Sequence, residues 1–148
     1  MKAGLLRVGM NLWPPFRGAG IRVLRIADDY REVEVELTLK WSNRNYIGSH
    51  FGGSLYAMTD PFYMLMLIHV LGRGYTVSHQ AGAIEYLIPA RGKVRAHFSL
   101  DDATIEDIKA RTAHGAKYLP QLGVDVKNEA GETVARVVHT LYIRKKKK

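Results

Sequence analysis

Gly52, Gly53 and Asp60 are the residues of this chain best suited by type and spacing to do chemistry, and they share one stretch, Asn45 to Leu71, NYIGSHFGGSLYAMTDPFYMLMLIHVL. Polar and Gly-rich residues open it, as a tight turn requires, and an apolar run of about five helical turns follows. Amides at a helix N-terminus have no partner inside the helix and carry the positive end of its dipole. Without side chains at Gly52 and Gly53, a carbonyl group can approach those amides closely. Such donors can stabilise an oxygen that turns negative in a transition state. Asp60 lies seven positions beyond Gly53, on the same helix face about two turns on. Among Met58, Pro61 and Phe62, its carboxylate is expected to be partly desolvated, with its proton affinity raised toward that of a useful general base.

Each of these residues also has a plain structural reading. Asp60 followed by Pro61 is the pattern of an N-cap with proline at the first helical position. The Gly52–Gly53 pair suits a turn or a packing contact, and Asn45 suits an Asx turn. Tyr56 and Tyr63 suit packing with their hydroxyls partnered, and Met64, Met66 and Leu67 form a core stripe. The six histidines show neither H-x-H nor H-E-x-x-H spacing, so no metal site is expected. Phosphate-loop, Ser-His-Asp and nucleotide fingerprints are also missing, and no cofactor is expected.

The rest of the chain has to position that stretch. Residues 2–12 suit a short docking helix with Leu5, Leu6 and Met10 on one side, ended by a Pro14–Pro15 turn. Strands are expected at 21–27 and 30–41, the second with Val33, Val35, Leu37, Leu39 and Trp41 alternating with polar residues. After the helix stop at Gly72–Gly74, a third strand runs over 75–87 and a fourth follows the Pro89–Gly92 turn, with Val94, Ala96, Phe98 and Leu100 on its core face. Thr104 with Asp107 resembles a capping box opening a helix to about His114, which Gly115 ends. Two last strands, 118–127 and 133–144, flank a turn containing Gly131.

This order gives one α+β domain over residues 1–148. From Pro61 to Leu71 the helix has no wide polar face, so it should be surrounded, and a mostly antiparallel sheet should curl around it. The segment is judged too short and too punctuated by Asp60 and Pro61 to span a bilayer. A curved sheet wrapped around one long central apolar helix is the description of a hot-dog fold.

Asn45, Phe51-Gly52-Gly53 and Asp60 resemble the helix-start signature of hot-dog acyl-CoA thioesterases of the phenylacetyl-CoA thioesterase type, in which an asparagine, a His-Gly-Gly and an aspartate stand at these separations. The segments SHFGGSLYAMTDPFY and EYLIPARGKVRA are more similar still to a mostly uncharacterised thioesterase-like branch of that superfamily. The family histidine is replaced by Phe51, with His50 one residue earlier. The resemblance implies hydrolysis of an acyl-CoA or acyl-carrier thioester, with Asp60 as base or nucleophile and the Gly52 and Gly53 amides polarising the carbonyl. Asn45 would orient the water from the partner subunit, so a homodimer or a dimer of dimers is implied. His50, Phe51, Leu55, Tyr56, Tyr63 and Met64 are the candidate pocket residues. Arg91, with Lys93 and Arg95, is a candidate for the phosphates of CoA, or else part of a solvated strand face. The competing reading is a non-catalytic hot-dog module that binds an acyl or other hydrophobic ligand in the same groove.

Composition narrows the field further. At 148 residues with 47% hydrophobic content the chain can bury a real core. It has no cysteine, which excludes disulfides, a thiolate nucleophile and Cys-based zinc. The N-terminal segment lacks a signal-peptide core, and a cytoplasmic location is expected. Of the formal charge of +8, residues 144–148 supply five, as a basic tail expected to be solvated; no nucleic acid and no membrane span are expected, and a nucleic-acid or membrane-surface binder is a third reading that rests almost wholly on that tail.

Overall fold

A computed structural model describes residues 1–147. Two short helices come first, α1 (Ala3–Leu12) and α2 (Pro14–Ala19). The prolines therefore start a helix as well as ending one. Trp13, ahead of Pro14, is extended as its position requires, and Pro14 takes the first helical position of α2. Ala3 and Met10 face inward with Leu6, whereas Leu5 is 65% exposed on the opposite face.

One antiparallel sheet follows. Its strands are β1 (Ile21–Ile26), β2 (Glu32–Thr38), β3 (Tyr75–Tyr86), β4 (Lys93–Ser99), β5 (Lys117–Tyr118), β6 (Gln121–Asn128) and β7 (Thr133–Lys145). Their spatial order is β1-β2-β4-β6-β7-β3, with β5 also on β7. The alternation expected in β2 and β4 is present: Val33, Val35, Leu37, Val94, Ala96 and Phe98 are all buried. β2 stops at Thr38, however, and Trp41 is 85% exposed. Asn43 ends the strand, its Oδ1 accepting from Lys40 N while its Nδ2 donates to Thr38 O and Ala19 O.

The central segment is two helices, α3 (Gly52–Ala57) and α4 (Phe62–Leu71), joined by a tight turn. Pro61 has no N–H to give back to Ala57, and that carbonyl is met instead by the Asp60 amide at 3.4 Å. α4 buries Phe62, Tyr63, Met66 and Leu67, with ring centroids 5.0 and 5.2 Å from Phe98 for the two aromatics. Each such side chain contributes about 2 kcal/mol of transfer free energy. The curved sheet wraps α4 as expected: along the helix only Ile68, at 40%, is exposed, and its other residues are buried or half-buried. By length and composition, 52–71 is long and apolar enough to cross a membrane, the one such segment among the described residues, but its kink and its packing are those of a core helix.

The remaining elements adjust two expectations. α5 (Asp102–Thr112) is capped by Asp101, whose carboxylate accepts from Thr104 N at 2.7 Å, so Thr104 receives the cap and does not supply it. Gly115 and Gly131 take positive φ at the helix end and the β6–β7 turn, as expected. The basic tail is partly strand: Arg144 and Lys145 belong to β7, and Lys146 N bonds Gly74 O. Lys148 lies outside the described residues.

The two outer strands differ. At β1, the Asn11 side chain donates to Val23 O and accepts from Val23 N, completing one rung of a ladder and blunting that edge. β3 pairs with β7 on one side only, and its other edge is open among the described residues.

Candidate active site

A cleft of about 500 Å³ opens at the start of α3, lined by Asn45, Phe51, Gly52, Gly53, Leu55 and the segment Tyr86–Ala90. Phe51 is the N-cap residue; Ser54 N and Leu55 N already bond its carbonyl, so the Gly52 and Gly53 amides precede the first intrahelical bonds. Two exposed aromatics lie over the glycines. A Cβ on Gly53 would sit 2.6 Å from Phe51 Cε1, and one on Gly52 would sit 2.8 Å from Tyr86 Oη. The space above both glycines is therefore filled by side chains that can swing into solvent.

The loop ahead of α3 is ordered by Asn45. Its Oδ1 accepts from Ile47 N and Ser49 N, and its Nδ2 donates to Ser49 Oγ and His50 O. Those four bonds use all the capacity of a side-chain amide. Asn45 thus builds the turn, with its amide fully engaged within the chain. His50 is buried; its Nε2 donates to Gly92 O at 2.8 Å, while its Nδ1 has no partner. Burial lowers its proton affinity, opposed by the bond to Gly92. His50 pins the loop to the start of β4.

Within one chain, Asp60 is not brought to this cleft. Its side chain is half-exposed, at 51%, and its Oδ1 lies 3.9 Å from His79 Nδ1 on β3. It caps no helix: Pro61 occupies that position and α4 has no side-chain cap bond. Tyr56 lies on the Asp60 side, its hydroxyl filling the space where a Gly82 Cβ would be and its ring 5.5 Å from that of His139. Burial, then Asp60, raises the Tyr56 phenol. Tyr63 is core, donating to Gly123 O at 2.7 Å, and burial pushes it up to about 12. Met64, half-buried, packs against the core, and Arg91 stands exposed on the turn beyond Ala90. Arg95 is held by Glu36 across β2–β4 at 2.8 and 2.9 Å and is not a free phosphate contact.

Around Asp60 the structure brings together groups that sequence reasoning missed, Thr59, His79 and His139. One signal was available, since His139 falls on the inward register of Val137, Leu141 and Ile143. A histidine on a core-facing position of a strand must find polar partners. Among the described residues no three His, Cys, Asp or Glu side chains are grouped to hold a metal ion.

The fold is shared with solved proteins. A Pseudomonas aeruginosa protein of unknown function, described as a probable thioesterase, matches with TM-score 0.84 at 19% identity, over 99% of this chain and 97% of that one. A Haemophilus influenzae thioesterase matches with TM-score 0.70 at 16% identity, over 98% and 92%. A Chlorobaculum tepidum protein of unknown function matches with TM-score 0.76 at 16% identity, over 97% and 94%. Likeness at these identities establishes the fold, which is the hot-dog fold. No functionally curated protein matches the sequence. Residues 2–143 match the family described as a domain of unknown function, DUF4442, and the chain belongs to that family.

Proposed function

We propose that the protein is a thioester hydrolase that works as a homodimer on an acyl-CoA or acyl-carrier substrate. The observation that carries this reading is the placement of the two half-sites along β3. Asp60 stands beside His79 near one end of that open edge strand, and the glycine cleft is walled by Tyr86 at the other end. Antiparallel pairing of β3 with its copy would lay the His79 half of one strand along the Tyr86 half of the other. Each site would then combine the Gly52 and Gly53 amides of one protomer with the partner subunit's Asp60. Exposed Tyr46, Ile47, Phe51, Tyr86, Leu87 and Ile88 form an apolar surface at the cleft, suited to a subunit contact and an acyl chain.

In this mechanism the thioester carbonyl accepts from the glycine amides. Asp60 either takes a proton from the attacking water or attacks the carbonyl itself, forming an acyl–aspartyl anhydride that water then hydrolyses to release the acid and restore the carboxylate. The carbon–sulfur bond breaks, and the thiolate leaves and is protonated. The test is thiol release over short, medium, long and aryl acyl-CoAs, with wild type and Asp60→Asn in parallel. Turnover that disappears in a folded Asp60→Asn dimer supports the mechanism, and full activity in that variant refutes it. The second reading, a ligand-binding module without turnover, is favoured by Phe51 lying over Gly53 and by the full engagement of Asn45. Acyl-CoA binding without thiol release from any substrate would select it.

A further inference from the structure

A directed chain of hydrogen bonds runs from the core to Asp60. Thr59 Oγ lies 2.8 Å from Tyr56 O, and a carbonyl cannot donate, so the hydroxyl spends its only proton there. His139 Nε2 lies 3.0 Å from the same Thr59 oxygen and therefore must donate to it. Fully buried His139 is neutral, as burial lowers its proton affinity to about 4, with His79 adding to the effect and Asp60 opposing it. Neutral imidazole with a proton on Nε2 has a bare Nδ1, and this accepts from His79 Nε2 at 3.2 Å. His79 Nδ1 is the one ring nitrogen left over, and it faces Asp60.

The backbone is shaped to this arrangement. β3 has a bulge between His79 and Ala81, the usual device for re-aiming a strand side chain beside a functional group. Three residues beyond His79, Gly82 leaves room for the Tyr56 hydroxyl, and the Tyr56 ring packs near His139. The titratable groups around His79 are Asp60 from the α3–α4 turn, Tyr56 from α3 and His139 from β7.

We propose that His79 is the positioning residue of Asp60: held by the His139–Thr59 chain, it presents Nδ1 to the carboxylate, and a proton on that nitrogen orients the otherwise exposed acid. The proposal rests on the hydrolase reading, in which Asp60 reacts, but its geometry is testable without turnover. When Nδ1 is protonated the imidazolium attracts the carboxylate; when it is bare, two sets of lone pairs face each other and the hold is lost.

The experiment is nitrogen NMR of histidine-labelled wild type, Asp60→Asn and Thr59→Val, with kinetics of wild type, His79→Phe and Thr59→Val. The expected result is neutral His139 protonated on Nε2, His79 protonated on Nε2, and a His79 Nδ1 signal that moves in Asp60→Asn because the group facing it has changed. In the assay, His79→Phe should lower kcat about fivefold with KM little changed, the scale of one partly exposed ion pair. Thr59→Val should give the same kcat effect more weakly while His79 remains. A proton on His139 Nδ1, or a His79 Nδ1 signal indifferent to Asp60→Asn, overturns the proposal whatever the activity. Wild type inactive on every thioester overturns the hydrolase reading, and the tautomers then decide by themselves whether His79 holds Asp60.

Discussion

Burial of His139 as a neutral ring makes the stability of this fold fall in mild acid, by an amount that can be worked out. Free imidazole takes its proton near 6.5, and the buried ring only near about 4. Between those values the unfolded chain binds a proton that the native state refuses, so acid favours unfolding. The contribution is complete above 6.5, declines as pH falls, and levels off below about 4. Integrated from pH 7 to pH 5, the loss is about 2 kcal/mol, a substantial share of a domain stability of about 5–15 kcal/mol. The perturbation is His139→Gln, whose neutral amide can still donate toward Thr59 and accept from His79. It removes the titration and keeps most of the polar contact. Urea denaturation of wild type and variant at both pH values is the assay, and the difference between the two proteins cancels the titrating groups remote from His139. Wild type is expected to lose about 2 kcal/mol more than the variant on acidification. Parallel losses would mean that His139 takes up a proton in the folded state, and the neutral, directed chain to Asp60 would go with it.

Gly53→Ala separates structure from chemistry at the cleft. The new methyl meets only the exposed Phe51 ring, which can swing aside, and alanine is better than glycine in a helix by about 1 kcal/mol, so denaturation should show unchanged or slightly higher stability. Thiol release should nonetheless fall about 100-fold, the scale of losing an oxyanion donor, because the methyl stands where the thioester approaches; a stable variant with wild-type rate would contradict the placement. On the open edge, Ala83→Lys puts like charges on two antiparallel copies of β3, and light scattering should show a wild-type dimer and a weakened variant dimer. A wild-type monomer at assay concentration would remove the shared site.

Much of the fold was legible because its signals are local. Val33, Val35 and Leu37 alternate with glutamates, Gly115 and Gly131 mark where helix and hairpin reverse, and an apolar run after a glycine pair marks the core helix. Errors arose where a long-range partner overrode the local pattern. Continuing the alternation to Trp41 failed because Asn43 reaches back to Ala19 and Thr38 and ends the strand. Leu5 looked like core beside Leu6, but helix periodicity puts it on the outer side of α1. The glycine cleft could be read because its parts are neighbours in sequence. The histidine chain could not, since its bonds join residues 60 and 80 positions apart and no short motif records such a contact.

The unequal treatment of the two sheet edges is the strongest physical argument for a site built by two chains. An open edge strand invites pairing, and folded proteins usually blunt it with charge, proline, a bulge or a covering element. At β1, α1 lies across the edge and Asn11 uses both ends of its amide, one donor and one acceptor, on the backbone of Val23. At β3, a strand of 12 residues, the middle of the edge is Ala81, Gly82 and Ala83, with no proline and no charge, and the bulge at Gln80 is accounted for by the aim of His79. An edge closed at β1 and a longer one left open with small residues at β3 fit the proposed dimer. Under that proposal, pairing at β3 would also account for Asp60 and the glycine cleft lying along opposite halves of one strand: an antiparallel copy would supply to each what one chain lacks.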